Sequence, residues 1–276
     1  MIRDVPGTLA VDLLGIGVLG PGLDDWPSAR AFLAGTRAWT HAPLAVPTPA
    51  RLPPTERRRA GLVIKCAIAV ADQACAGAGI DPAGLATVFS SSAGDPANCH
   101  ALCEALAEPQ PFVSPTRFTN SVHNASAGYW HIATASRAPS TSLCAFDASL
   151  VAGLLEAASQ CVLSGRPVLL VAVDTPYPEP LNSVRPLPDS FATALVLAPA
   201  GAEVQAPALA HLSLALEPAA PTPSAQAGLE ALRAAIPAAR VLPLLEAVAR
   251  RSAAAIVLDF QPALALRIAV APGARV

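Results

Sequence analysis

Three side chains capable of chemistry crowd one turn of this 276-residue chain: Cys144, Asp147 and Ser149. Ser140 to Phe146 reads as a buried strand, and Asp147 to Ser164 as the helix that follows. A strand-to-helix turn presents its apex residue to the free amides of the helix start, where a nucleophile is activated. The apex residue here is Phe146, and a phenyl ring cannot attack a carbonyl carbon. Cys144 lies two residues earlier, on the same side of the strand as Phe146. It sits away from the amides that lower a thiol's pKa, so it reads as a core residue. Ser149 lies two residues into the helix without a visible base and reads as packing. Asp147 reads as the helix N-cap and Gly165 as the C-cap.

Other constellations are weaker. His123-Asn124 is a polar pair that, if buried, must be hydrogen-bonded. It reads either as a backbone cap or as a binding or interface feature. Tyr129 and Trp130 read as core. Cys99 and Cys103 can share a helix face, but no second ligand pair follows, so no metal site is expected. Gly15-Ile-Gly17-Val-Leu-Gly20 matches a dinucleotide fingerprint on paper. Pro21-Gly22 breaks the helix it would need, and residues 38–55 hold no acidic residue for a ribose, so it reads as a strand and a glycine turn. The single lysine, Lys65, falls in a helical stretch, which excludes a phosphate-cradling Walker loop. There is no Gly-x-Ser-x-Gly elbow.

The composition narrows the class. Hydrophobic residues make up 53% and charged residues 14%, against roughly 25% charged in an average soluble protein. So little charge implies large buried surfaces, a subunit interface among them. A net charge of −2 gives no footprint for nucleic acid. The start, Met-Ile-Arg-Asp-Val-Pro-Gly, lacks the pattern of a secretory leader, and polar residues interrupt the longest charge-free stretch, between Arg117 and Arg137. The six cysteines, Cys66, Cys75, Cys99, Cys103, Cys144 and Cys161, read as reduced core thiols. A cytoplasmic protein without a membrane span is the expectation.

Periodicity supplies the frame. Strands are expected at Leu9–Val18, Ala86–Ser91, Val168–Asp174, Phe191–Leu197, Leu209–Leu216, Ala254–Asp259 and Ala263–Val270. Helices are expected at Arg57–Gly77, Ala97–Ala107, Ala125–Ser136, Ala225–Ala235 and Leu242–Arg251. Pro218 to Ser224 reads as a linker. Near-continuous apolar strands alternating with helices argue for an α/β protein with a mostly parallel sheet.

The ordered set of segments carries a resemblance. Arg57-Arg-Arg59 opens a helix, and Phe89-Ser-Ser-Ser-Ala-Gly94 follows. Ser114-Pro115, Phe118-Thr-Asn-Ser-Val-His-Asn-Ala-Ser-Ala-Gly128, the Phe146 turn and Gly165 to Asp174 come next. Arg185-Pro-Leu-Pro-Asp189 precedes another strand. Over about residues 9–200 this resembles the N-terminal half of β-ketoacyl synthases, with Phe146 where that family has its nucleophilic cysteine. The resemblance implies a thiolase-like fold, with a ketosynthase-like half over 1–200. A shortened C-terminal half, 201–276, would complete the second sheet layer.

The family's other catalytic groups are missing as well. No His-Gly-Thr motif occurs, and after Phe146 there is one histidine, His211, and no lysine. The chain therefore looks like a short, non-catalytic chain-length factor of the kind found in aryl polyene biosynthesis. That resemblance implies a heterodimer with a full-length ketosynthase, an acyl carrier protein engaged through the complex, and no cofactor. It makes Phe146, Ser121, His123 and Asn124 candidate interface or tunnel residues. Two alternatives remain open: a degenerate acyltransferase or condensing enzyme using Cys144 or Ser149, and a homodimeric acyl-binding scaffold.

Overall fold

The computed structural model describes residues 8–202 and 207–273. The N-terminal heptapeptide read above for a leader lies outside the described residues. The elements run β1 (Leu9–Leu19), α1 (Trp26–Leu33), α2 (Pro54–Arg59), α3 (Leu62–Ala78), β2 (Ala86–Ser90) and α4 (Pro96–Ala107). Then come α5 (Pro115–Thr119), α6 (Ala125–Thr134), β3 (Ser140–Leu143), α7 (Ser149–Ser164), β4 (Val168–Asp174) and α8 (Leu181–Val184). The chain continues through β5 (Phe191–Pro199), β6 (Ala210–Glu217), α9 (Ala227–Ala235), α10 (Leu242–Arg250), β7 (Ala254–Gln261) and β8 (Leu264–Pro272). Tight 3₁₀ turns occupy Phe146–Ala148 and Pro237–Val241.

All eight strands form one sheet in the order β3-β2-β4-β5-β1-β6-β8-β7. The α/β architecture is as expected, but the mostly parallel pairing is not. Only β2–β3 and β2–β4 are parallel, and the other five pairs are antiparallel. Parallel partners need helical crossovers. They are confined to the stretch where helices separate the strands. The C-terminal strands β6, β8 and β7 continue the same sheet through β1. They bend around α7, which touches β4 and also β7.

Alternation along the central strands divides the core. Val168, Leu170 and Ala172 of β4 pack toward α7, while Leu169, Val171 and Val173 pack toward α3. In β1 the alternation changes phase. Val11 and Leu13 face the α7 side before a bulge at Leu14, and Ile16 and Val18 face it afterwards. The extra residue lets one strand serve β6 at its start and β5 along most of its length. The glycines after the bulge have a packing role. A Cβ on Gly15 or Gly17 would collide with the main-chain oxygen of Ala74 or Val70 on α3. The dinucleotide-like pattern is therefore the imprint of a helix lying directly on a strand.

Other boundaries differ for local reasons. The helix expected over Arg57–Gly77 splits at Ala60, whose ψ of 120° is extended. The buried Asn120 amide donates to the Arg59 carbonyl at 2.9 Å and so satisfies the end of α2. The strand expected to reach Phe146 stops at Leu143. The linker is tied down: Thr222 accepts from and donates to the main chain of Val257. The segment Phe146–Ser164 is long and apolar enough to cross a membrane, but α7 carries part of the buried core, with Leu150, Val151 and Leu154 at 1% exposure or less. Tyr129 and Trp130 are buried, as expected. Cys66, Cys75 and Cys161 are buried too, whereas Cys99, Cys103 and Cys144 are exposed and correct the all-core reading.

The close approach of α3 to β1 can be tested. Gly17→Ala should lower stability by about 1–3 kcal/mol, the usual cost of overpacking. It should appear as a lower urea midpoint with an unchanged slope.

Candidate functional site

The Phe146 turn lies beyond the C-terminal ends of the three parallel strands, beside the loop that follows β2. Phe146 adopts φ +53°, a left-handed conformation costly for any residue with a side chain. Ser149 fixes it. Its hydroxyl accepts the Ala145 amide at 2.9 Å, and its single proton faces the carbonyls of Phe146 (2.6 Å) and Ser91 (3.1 Å). Ser149 is 1% exposed and is structural. With its oxygen committed to main-chain groups, it is not poised as a nucleophile.

The Phe146 ring is 62% exposed on its outer side. Its other face is covered by Arg185, whose guanidinium carbon lies 3.5 Å from the ring centroid and 5.6 Å from that of Tyr177. Asp147 is not the helix cap, because α7 has Ala148 at its N-cap position without a side-chain bond. The Asp147 carboxylate instead accepts from Arg185 at 2.6 Å, and its carbonyl accepts from Arg240 at 2.7 Å. The turn is thus riveted to the segments before β5 and before α10. Arg185 Nη1 is buried with no partner among the described residues.

Cys144 is exposed, which overturns its reading as core. Its thiol contacts the Ser92 carbonyl at 3.1 Å. None of the five histidines hydrogen-bonds to the turn. His41 meets Asp189, His100 meets Glu104 and His211 meets Asp12. His123 and His131 line a depression elsewhere.

Beneath the turn lies Asp174, at the end of β4 and 3% exposed. Its carboxylate accepts the Ser92 amide (2.7 Å), the Ser91 hydroxyl (3.3 Å) and the Ala238 amide (2.9 Å). Burial pushes its carboxyl above the usual range against the pull of these donors. A charged residue closing a strand of seven buried residues was the sequence signal for this anchor. Arg185 was read only as part of the Arg-Pro-Leu-Pro-Asp segment and Arg240 not at all, because their partners lie far off in the chain.

The other candidates form a separate place. His123 and Asn124 are exposed rather than buried, and Asn124 makes no side-chain cap bond. Together with His131, Ser140 and Ser142 they line an open depression of about 390 Å³ between α6 and the edge strand β3. Ser121 is nearby in the chain and donates locally to Phe118. The structure therefore does not bring Phe146 together with Ser121, His123 and Asn124 in one pocket. Cys99 and Cys103 have no third metal-ligating neighbour among the described residues.

The turn thus combines a strained apex bearing a phenyl ring, a serine-rich loop and a buried carboxylate. Residues 33–253 match the family model for the beta-ketoacyl synthase N-terminal domain. The chain belongs to the beta-ketoacyl synthase family. Three solved relatives of the family share its thiolase-like fold with this chain. A chain of the ketosynthase ApeO in complex with its chain length factor ApeC, from Xenorhabdus doucetiae, aligns at 23% identity and TM-score 0.73, covering 95% of this chain and 99% of that one. A chain of AntDE:AntF, a type II polyketide acyl-carrier protein in complex with its ketosynthase, aligns at 12% identity and TM-score 0.71, covering 95% and 99%. The module 1 ketosynthase of bacillaene synthase from Bacillus amyloliquefaciens FZB42 aligns at 16% identity and TM-score 0.55, over 76% of this chain but 46% of its own length. No curated protein matches the sequence.

Protonation of Asp174 gives a signed prediction. Its folded pKa is raised, so the native state holds this proton to higher pH than the unfolded chain does. The stability this group adds is full below the unfolded carboxyl pKa and is lost as pH rises through the folded value. The stability difference between wild type and Asp174→Asn should therefore shift in favour of wild type as the solution is acidified from neutrality. Urea midpoints of both proteins across that range measure it.

Proposed function

We propose that this chain is a non-catalytic, chain-length-factor-like subunit that pairs with an active ketosynthase and shapes its acyl tunnel. The observation that carries this reading is Phe146 itself. A ring stacked on Arg185 fills the apex where acyl transfer needs a thiolate. Acyl condensation also needs donors that hold the developing oxyanion, and no imidazole bonds to this turn.

Length supports the same reading. The chain aligns end to end with a chain from a ketosynthase–chain length factor complex, yet it spans under half of the bacillaene ketosynthase. The surface supports a partner. Among the described residues, the edge strand β3 is paired on one side only, with β2. Beside it in the chain, Phe112, Phe118, Val122 and Ile132 are large exposed apolar residues. His123, Asn124 and Ser121 belong to this same stretch and would meet the ketosynthase. In this reading the complex works in the cytoplasm and extends an aryl polyene-type chain with malonyl units on an acyl carrier protein.

Co-expression with the neighbouring ketosynthase should give a one-to-one complex by native mass. A stable homodimer that ignores the ketosynthase would refute the reading and favour the scaffold alternative. Phe118→Glu leaves the core untouched and should weaken that complex at least about tenfold, a loss of some 1.4 kcal/mol. Phe146→Cys should not make the isolated chain condense malonyl and acyl thioesters. Intact mass after incubation with acyl thioesters should show no adduct on the wild-type chain. A Cys144 or Ser149 adduct would move the assignment to the acyltransferase alternative.

A further inference from the structure

Away from the Phe146 turn, α4 carries two thiols that the proposed function leaves unused. Cys99 and Cys103 stand four residues apart, so one turn of helix stacks one above the other. The turn that bears Cys99 is held in place. Asp95 accepts the Asn98 amide at 3.0 Å, and the buried Asn98 side chain donates to the Arg117 carbonyl of α5 at 2.9 Å. One position further along, the same spacing brings His100 Nε2 within 3.2 Å of the Glu104 carboxylate. Side-chain tips on this face of α4 therefore meet across one turn.

Both thiols are free and exposed. They also feel each other: partial burial first, and then the neighbouring Cys103, push the Cys99 thiol above its ordinary value. Cβ atoms at this helical spacing lie about 5–6 Å apart, whereas a disulfide needs about 3.5–4.5 Å. A direct sulfur–sulfur bond would bend α4, but a single atom bridging the two sulfurs fits the straight helix. Among the described residues no third metal-ligating side chain joins the pair, so it does not meet the four-ligand demand of structural zinc. It suits a soft centre that takes only two ligands from the protein. A two-coordinate cuprous ion places its sulfurs on opposite sides. Pyramidal arsenic(III) takes them side by side, as one helix face presents them.

We propose that Cys99 and Cys103 form a chelating dithiol that captures trivalent arsenic. With a hydrated arsenoxide, two As–O bonds break and two As–S bonds form. Each thiol proton leaves with a departing hydroxide as water. Arsenic stays trivalent throughout, so the step needs neither oxidant nor reductant. The chelate uses α4 of this chain alone and does not depend on the ketosynthase-partner reading.

The test titrates the full, reduced chain with phenylarsine oxide and reads intact mass under competition by thiols. One phenylarsenic group bridging two sulfurs should form, survive excess monothiol and be removed by the dithiol 2,3-dimercaptopropanol. Cys99→Ser and Cys103→Ser should each weaken binding about a hundredfold or more, the gain that a tethered second ligand supplies. Cys144→Ser should bind as wild type does. Both α4 thiols are exposed, so thermal unfolding of the two serine variants should match wild type. The proposal is overturned by the absence of an adduct, by an adduct that monothiol removes, or by one that Cys144→Ser abolishes. Wild-type affinity in either α4 variant overturns it equally.

Discussion

The buried carboxylate of Asp174 is the contact on which the functional end of the molecule depends. It draws donors from the loop after β2 and from the 3₁₀ turn before α10, and so ties both to the end of β4. These segments lie far apart in the chain, and no apolar packing orients main-chain amides so specifically. An ionised group in such a place is costly unless several donors surround it. Here the donors offset part of that cost, and the segments are held in one arrangement. Glu246 repeats the device on a smaller scale, accepting the Ala225 amide and pairing with Arg250.

On that foundation the Phe146 turn keeps a strained apex whose side chain is a phenyl ring. Strain persists where surroundings over-determine a conformation. Ser149, Arg185, Asp147 and Arg240 supply that over-determination. The ring-on-guanidinium stack occupies the space above the apex, so the turn is a filled surface rather than an open pocket.

Much of this was legible in the sequence, because apolar periodicity reports burial directly. β4 was placed to the residue, and the small-residue helix α6 to within two residues. Phe146 could be read as a missing nucleophile from the order of segments alone. The sheet's direction was not legible. Continuous apolar strands mean burial on two faces, and an antiparallel sheet covered by α3 and α7 meets that condition as well as a parallel one. The Gly15–Gly17 pattern was ambiguous for a similar reason: glycine admits close approach, whether of a phosphate or of a helix backbone. The burial of His123 and Asn124 was left open because it depends on where β3 ends the sheet. The Arg185 stack and the Asp174 anchor join residues distant in sequence, and local pattern carries no trace of such meetings.

The bulged strand β1 has a consequence for how the chain is made. It is made before the other described strands, yet both of its neighbours, β5 and β6, lie roughly two hundred residues later. Loop closure over that span precedes any stabilising pairing, which slows folding. Until most of the chain has emerged, β1 is an apolar ribbon with two open edges. The middle of the sheet can therefore close only after β5 and β6 have been made.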